Sequence, residues 1–219
     1  MSQLSTPPRE TVSFGRLRVT FDSRVLRPRG WTAAQSHWAS DLLNELGPGP
    51  VLELCAGAGQ IGLLAVADHD RSLVSVDMEP AAAELTAFNA AETGLTERIE
   101  VRVGQASEVL TDDERFALVI ADPPWVRREC TDRYPEDPLT AIDGGTDGLA
   151  VARECVAVAE KHLLPGGAVL LQLGSLAQVE QIAQELATRD LLRLTEIRHF
   201  PDQGVLVRLD QTGTGGELS

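Results

Sequence analysis

Two short stretches gather residues whose types and spacing suit chemistry. In the first, Gly57-Ala58-Gly59-Gln60-Ile61-Gly62 forms a GxGxxG run between an apolar segment, Val51–Cys55, and a helical pattern reaching Ala67. Glycines there let the backbone pass close to a ligand, and the helix start offers free N–H groups. Asp77 closes the next apolar run, 20 residues after Gly57. A carboxylate at that place accepts hydrogen bonds from both hydroxyls of a ribose. The second stretch is Asp122-Pro123-Pro124-Trp125, directly after the apolar run Phe116–Ala121. Its chemistry suits a planar nitrogen, an amide or an exocyclic aromatic amine, whose lone pair is delocalised and therefore poorly nucleophilic. The Asp122 carboxylate and the Pro123 carbonyl oxygen supply two acceptors for its two N–H groups and would turn the lone pair out of the π-system. The prolines stiffen the loop, and Trp125 offers a face on which a planar group can stack.

A GxGxxG turn serves NAD, FAD and S-adenosylmethionine alike, so the surrounding residues must select among them. Glu53 lies within the apolar run just before the turn. A carboxylate there faces an ammonium group favourably and would repel a pyrophosphate. Met78, directly after Asp77, provides an apolar wall for an adenine face. The expected cofactor is S-adenosylmethionine, with Glu53, Cys55, Gly57, Gly59, Asp77, Met78 and Asp122 as its contacts. Asp122, Pro123 and Trp125 are the expected catalytic residues, and the expected reaction is methyl transfer to a planar nitrogen. Cys55 reads as a small buried residue rather than a reactive thiol.

The elements that must hold these groups alternate regularly. Extended runs at 51–55, 72–77, 99–103, 116–122 and 168–174 are separated by helical patterns, the longest at 79–92, 147–164 and 177–187. Two further runs, 192–200 and 204–209, close as a hairpin. Single helices between strands imply βαβ units. The expected fold is α/β, doubly wound, a mainly parallel seven-stranded sheet with a C-terminal antiparallel strand. Residues 1–46 read as an N-terminal appendage: extended pieces that turn at Gly15, then a helix that Thr32 would cap. Residues 47–209 form the main domain, and 210–219 a flexible tail.

The segment VLELCAGAGQIGL resembles the first motif of class I (Rossmann-like) S-adenosylmethionine-dependent methyltransferases, with Cys55 where that family usually has glycine. Four stretches are similar to its HemK-like branch: VLRPRGWTAAQSHWASDLL at 25–43, DPPW, DPLTAIDGGTDGL at 137–149 and LLPGGAVLLQLGSLAQ at 163–178. The resemblance covers roughly residues 25–209, with 137–149 its most specific part. It implies a Rossmann-like methyltransferase domain and, from the branch's best-known members, a glutamine amide in peptide release factors as acceptor. Three departures separate the chain from the pattern. Asp122 stands in place of asparagine, Gln172 in place of a frequent glutamate, and only about 30 residues precede Trp31, too few for the branch's helical substrate domain. Aspartate at the head of the motif is familiar in enzymes that methylate adenine or guanine amines. Three acceptors therefore stay open: a protein glutamine, a nucleobase amine or a small metabolite.

The formal net charge is −14, and Lys161 is the only lysine, which disfavours sequence-independent binding to phosphate backbones. Three cysteines without CxxC or Cys/His spacing speak against a disulfide framework or a metal site and for a cytoplasmic setting. No apolar run reaches the roughly 18 residues that a membrane span needs. Two competing readings are a non-catalytic S-adenosylmethionine-binding or interaction protein and an NAD-dependent oxidoreductase. Against the first stand intact Glu53, Gly57, Gly59, Asp77 and DPPW; against the second stands the want of a tyrosine–lysine pair, since Tyr134 is the only tyrosine. Arg127, Arg128 and Arg133 read as solvated loop charges, and Trp38 as core.

Overall fold

The computed structural model describes residues 7–212. A hairpin, β1 (Glu10–Phe14) and β2 (Leu17–Phe21), turns at Gly15 and precedes α1 (Ala33–Glu45). The alternating part follows: β3 (Val51–Leu54), α2 (Gln60–Val66), β4 (Leu73–Asp77), α3 (Pro80–Glu92), β5 (Ile99–Val103), α4 (Ala106–Val109) and β6 (Phe116–Ala121). Next come α5 (Leu139–Ile142), α6 (Ala150–His162), β7 (Leu163–Leu173), α7 (Leu176–Ala187), β8 (Leu192–Phe200) and β9 (Gly204–Gln211). Seven strands form one sheet in the order β5-β4-β3-β6-β7-β9-β8. Pairings from β5 through β7 are parallel, and β9 runs antiparallel to both of its neighbours. This is the doubly wound sheet expected from the alternation.

Both faces of the central strands are covered, which is why β6 reads as an unbroken apolar run and β3 as one interrupted only by Glu53. Side chains of β6 alternate across the sheet: Leu118 and Ile120 join the core under α1, α2 and α3, while Val119 and Ala121 join the one under α6 and α7. The first core also takes Phe14, Val19 and Phe21 of the hairpin and Trp38, Leu42 and Leu43 of α1. Residues 7–46 thus contribute to the same core as the sheet. Burial of such apolar side chains is worth about 1.5–3 kcal/mol each.

Strand order reverses between β3 and β6: the chain moves outward to β4 and β5, then returns on β3's other side. In open α/β sheets the crevice beyond the strand ends at this point takes ligands. The loops after β3, β4, β6 and β7 all open into it.

Three local expectations change. Thr32 stands at the start of α1, but its backbone is already helical and its hydroxyl donates back to the Arg29 carbonyl at 2.8 Å, so it caps nothing. Helix α6 begins at Ala150 rather than Asp147. Gly145 and Gly148, with φ of 86° and 77°, turn the chain there, and Asp147 accepts from the Leu149 N–H at 3.0 Å. In the loop after β6 a 3-10 turn (Arg128–Arg133) and α5 precede α6. Of the expected tail, Asp210 and Gln211 belong to β9, and residues 213–219 lie outside the described residues.

Candidate functional site

The Gly-rich turn is built from left-handed positions. Cys55, Gly57 and Gly59 have φ of 58°, 57° and 75°, a region glycine enters freely and other residues at a cost. Gly62 lies so close to Glu53 that a Cβ there would stand 2.5 Å from its Oε2. The Glu53 carboxylate is 2% exposed; Oε1 accepts the Gly62 N–H at 2.7 Å and Oε2 the Ser75 hydroxyl at 2.7 Å. Burial pushes its pKa up to about 7 against the pull of these two bonds. The expected open contact with a ligand ammonium is therefore not what the geometry presents. Glu53 ties β3 to β4 and to the start of α2, and so sets the shape of the turn.

Asp77 is placed similarly. Its Oδ2 accepts the Gly57 N–H at 2.8 Å and its Oδ1 the Glu79 N–H at 2.9 Å. Burial raises its pKa, and the Gly57 and Glu79 N–H groups offset part of that. Met78 is 60% exposed beside it, so packing does not account for this side chain. The Cys55 thiol is half-buried; a hydrogen bond with Cys155 of α6, together with burial, keeps it protonated.

Helix α3 braces the turn from behind through residues that sequence reading passed over. Asn89, fully buried, donates to the Ala58 carbonyl at 2.9 Å and exchanges two 2.8 Å bonds with the main chain of Thr20 in β2. Thr86 donates to the Gly57 carbonyl at 3.1 Å. No local signal marks these side chains, because their partners are distant in sequence.

Asp122 leaves β6 facing a pocket lined also by Pro123, Trp125, Gln60, Gln172 and Trp31. Its carboxylate takes no hydrogen bond among the described residues. Burial pushes its pKa up to about 7, with Arg29 pulling the other way. The Trp125 ring lies against Gly174 at the end of β7, where any side chain would collide with it. Gln178 of α7 holds this loop: its Nε2 donates to the Trp125 carbonyl at 3.0 Å and its Oε1 accepts the Gly174 N–H at 2.8 Å. From the other side Gln35 of α1, fully buried, donates to the Ala121 carbonyl at 3.0 Å and the Leu170 carbonyl at 3.2 Å. Arg29 pairs with Asp137 at 2.8 Å across the pocket mouth. Arg127 and Arg128 are exposed and paired with Glu129 and Asp143, while His37 is exposed and Trp38 is core.

Gly57 faces open space, with no atom within 4 Å of where its Cβ would stand, and Asp77 and Met78 border the same region. This left-handed turn, acidic strand end and exposed apolar wall fit a nucleoside-bearing cofactor. Among the described residues no group of His, Cys, Asp and Glu is arranged to hold a metal ion.

Residues 15–135 match the family model described as Conserved hypothetical protein 95. The ribosomal protein uL3 glutamine methyltransferase of Bradyrhizobium diazoefficiens is 33% identical over 166 residues, 70% of this chain and 52% of the relative. The release factor glutamine methyltransferase of Cereibacter sphaeroides is 30% identical over 198 residues, 88% of this chain and 68% of the relative. Among solved structures, the hMettl16 catalytic domain in complex with an RNA hairpin superposes with a TM-score of 0.73 at 14% identity, covering 91% of this chain and 77% of that one. At that identity the likeness speaks for the fold alone. The chain belongs to the HemK-like branch of the class I, Rossmann-like S-adenosylmethionine-dependent methyltransferases. It spans about half to two thirds of the length of the curated relatives it matches.

Proposed function

We propose that this chain transfers a methyl group from S-adenosylmethionine to the side-chain amide nitrogen of a glutamine in a protein. One observation carries the reading: Asp122, buried enough to raise its pKa to about 7, takes no hydrogen bond among the described residues and faces the pocket that Pro123 and Trp125 line. A half-buried carboxylate that opens into a pocket and meets no protein donor keeps its lone pairs available for a ligand's N–H groups. The names of the relatives support a glutamine as that ligand.

The cofactor supplies an activated methyl group on a sulfonium. Gly57, Gly59, Asp77 and Met78 would hold it, and Glu53 and Asn89 would keep their turn in shape. Asp122 and the Pro123 carbonyl bind the two N–H groups of the acceptor amide and turn its lone pair toward the crevice. Trp125, fixed by Gly174 and Gln178, covers one face of the amide and excludes water. After transfer the nitrogen carries a surplus proton, and the Asp122 carboxylate takes it. Positioning of this kind lowers the barrier without a strong base. A cytoplasmic setting goes with this reading, supported by three free cysteines. Among the described residues no helix is long and apolar enough to cross a membrane.

The test is labelled methyl transfer to purified release factor, to ribosomal protein uL3, and to the RNA and small-molecule fractions of a cell extract. Label recovered as side-chain N-methylglutamine is the expected result. Label confined to RNA or to small molecules overturns the glutamine assignment.

A further inference from the structure

We infer that Trp31 forms a second aromatic wall of the acceptor pocket and grips the methylene stem that carries the acceptor amide. This rests on the glutamine reading above and adds a residue for the apolar part of that side chain. The chain has three tryptophans, and their surroundings differ. Trp38 is 1% exposed in the core, whereas Trp31 and Trp125 are half-buried and line the same pocket as Asp122.

The sheet, rather than the neighbours of Trp31 in sequence, builds its seat. Strand β8 runs antiparallel to β9, and β9 antiparallel to β7, so β8 ends at the same edge of the sheet as β6 and β7. The β8–β9 turn therefore stands on the acceptor side of the crevice. Phe200, the last residue of β8, packs on Trp31 with ring centroids 5.7 Å apart and planes tilted by 41°. Gly204, the first of β9, lies against the same ring: a Cβ there would stand 2.9 Å from its Cη2 and 3.0 Å from the Leu173 carbonyl oxygen. Leu173 pairs with Val205, which puts Gly174 and Gly204 opposite each other. Each glycine leaves room for one tryptophan, Trp125 at the first and Trp31 at the second. Residues opposite each other in an antiparallel pair share a face of the sheet, so the two indoles stand over adjacent strands on one face.

The two rings meet different parts of a glutamine. Asp122, the Pro123 carbonyl and Trp125 take its planar end. The two methylenes behind that end are apolar and leave the pocket toward its mouth, which the Arg29–Asp137 pair spans. Trp31 follows Arg29 by two residues, and its partly exposed ring offers a flat, rigid apolar surface on that route. Each methylene that leaves water against it tightens binding by about threefold. The contact is the same before and during transfer, so it lowers KM and leaves kcat alone.

The experiment measures KM and kcat for release factor and uL3 with Trp31→Ala and Trp31→Phe, alongside the affinity for S-adenosylhomocysteine. For Trp31→Ala the expected result is a KM raised about tenfold, with kcat and S-adenosylhomocysteine affinity within about twofold; Trp31→Phe recovers most of the loss. An unchanged KM in Trp31→Ala, a matching loss of S-adenosylhomocysteine affinity, or a Trp31→Phe no better than Trp31→Ala overturns the role of Trp31 and leaves the glutamine reading standing. Should the wild type label only RNA or small molecules, the glutamine reading falls and this role with it. On the unaltered protein, inhibition tightens from acetamide through propionamide to butyramide; equal inhibition by the three overturns the role even if neither variant folds.

Discussion

At the Gly-rich turn each oxygen of Glu53 and Asp77 accepts a hydrogen bond from the protein, from Gly62, Ser75, Gly57 and Glu79. Across the crevice Asp122 and Gln172 make no side-chain hydrogen bonds among the described residues, although the main chain around them is firmly held by Gln35 and Gln178. The first region spends its polar groups on its own shape. The second keeps its backbone rigid and its side chains free. A turn that must approach a cofactor closely needs a fixed backbone, whereas a pocket that must seize N–H groups needs acceptors not already satisfied.

The comparison breaks most readily at Asp122. Replacing it by alanine should lower methyl transfer by about 10²–10³-fold, the usual loss when one preorganised polar contact to the reacting group goes, with S-adenosylhomocysteine affinity retained. Calorimetry paired with labelled transfer checks this, and equal activity would remove Asp122 from the acceptor site. Asp122→Asn keeps an acceptor oxygen. It should retain part of the activity and lose the rise with pH through about 7 that ionisation of Asp122 imposes on the wild type.

Glu53 tests the opposite region. Glu53→Ala leaves the Gly62 N–H and the Ser75 hydroxyl buried without partners and should cost about 3 kcal/mol of stability, together with cofactor affinity. Glu53→Gln keeps an acceptor and should be nearly neutral near pH 4, where the carboxyl is protonated in both states, and gain on the wild type as pH rises toward 7. Denaturant unfolding of both variants separates shape from charge. If both lose stability equally, the charge matters and not the geometry.

A third difference lies in pH dependence. In the folded chain Glu53 and Asp122 hold their protons up to about pH 7, whereas unfolded carboxyls release theirs near 4. Their contribution is fully present below the unfolded values and is lost as pH rises toward 7. Glu114 and Asp147 act oppositely. Arg102 and Arg153 hold them at about 2, so they favour the fold above pH 4 and lose that effect as pH falls toward 2. Stability should therefore be greatest near pH 4 and fall as pH rises from there toward 7. Asp122→Asn should flatten the fall, and an unaltered slope in urea titrations would contradict the raised pKa of Asp122.

The smallest effect concerns Cys55, a side chain at φ 58° beside the turn. Cys55→Gly relieves backbone strain of about 1 kcal/mol and gives up the contact with Cys155. The net change in melting midpoint should be within a few degrees and cofactor affinity should hold; a large loss of affinity would make the thiol itself part of the cradle.

Much of this was legible in local spacing. Alternation of apolar runs and helical patterns determined the parallel sheet, and short-range motifs located the Gly-rich turn, Asp77 and the Asp122–Trp125 loop at strand ends. Periodicity records which side of an element is buried, and glycine and proline record where the chain must bend, so these features survive in a linear reading. The pairing of buried polar groups does not. Asn89 reaches Ala58 across 31 residues, Gln178 reaches Trp125 across 53 and Gln35 reaches Ala121 across 86. Only packing brings such groups together, and only packing shows that the Glu53 carboxylate is spoken for while Asp122 and Gln172 are not. Sequence alone determined where the two proposed sites lie; the tertiary structure decided which of their polar groups remain free, because a hydrogen bond is satisfied in space and not along the chain.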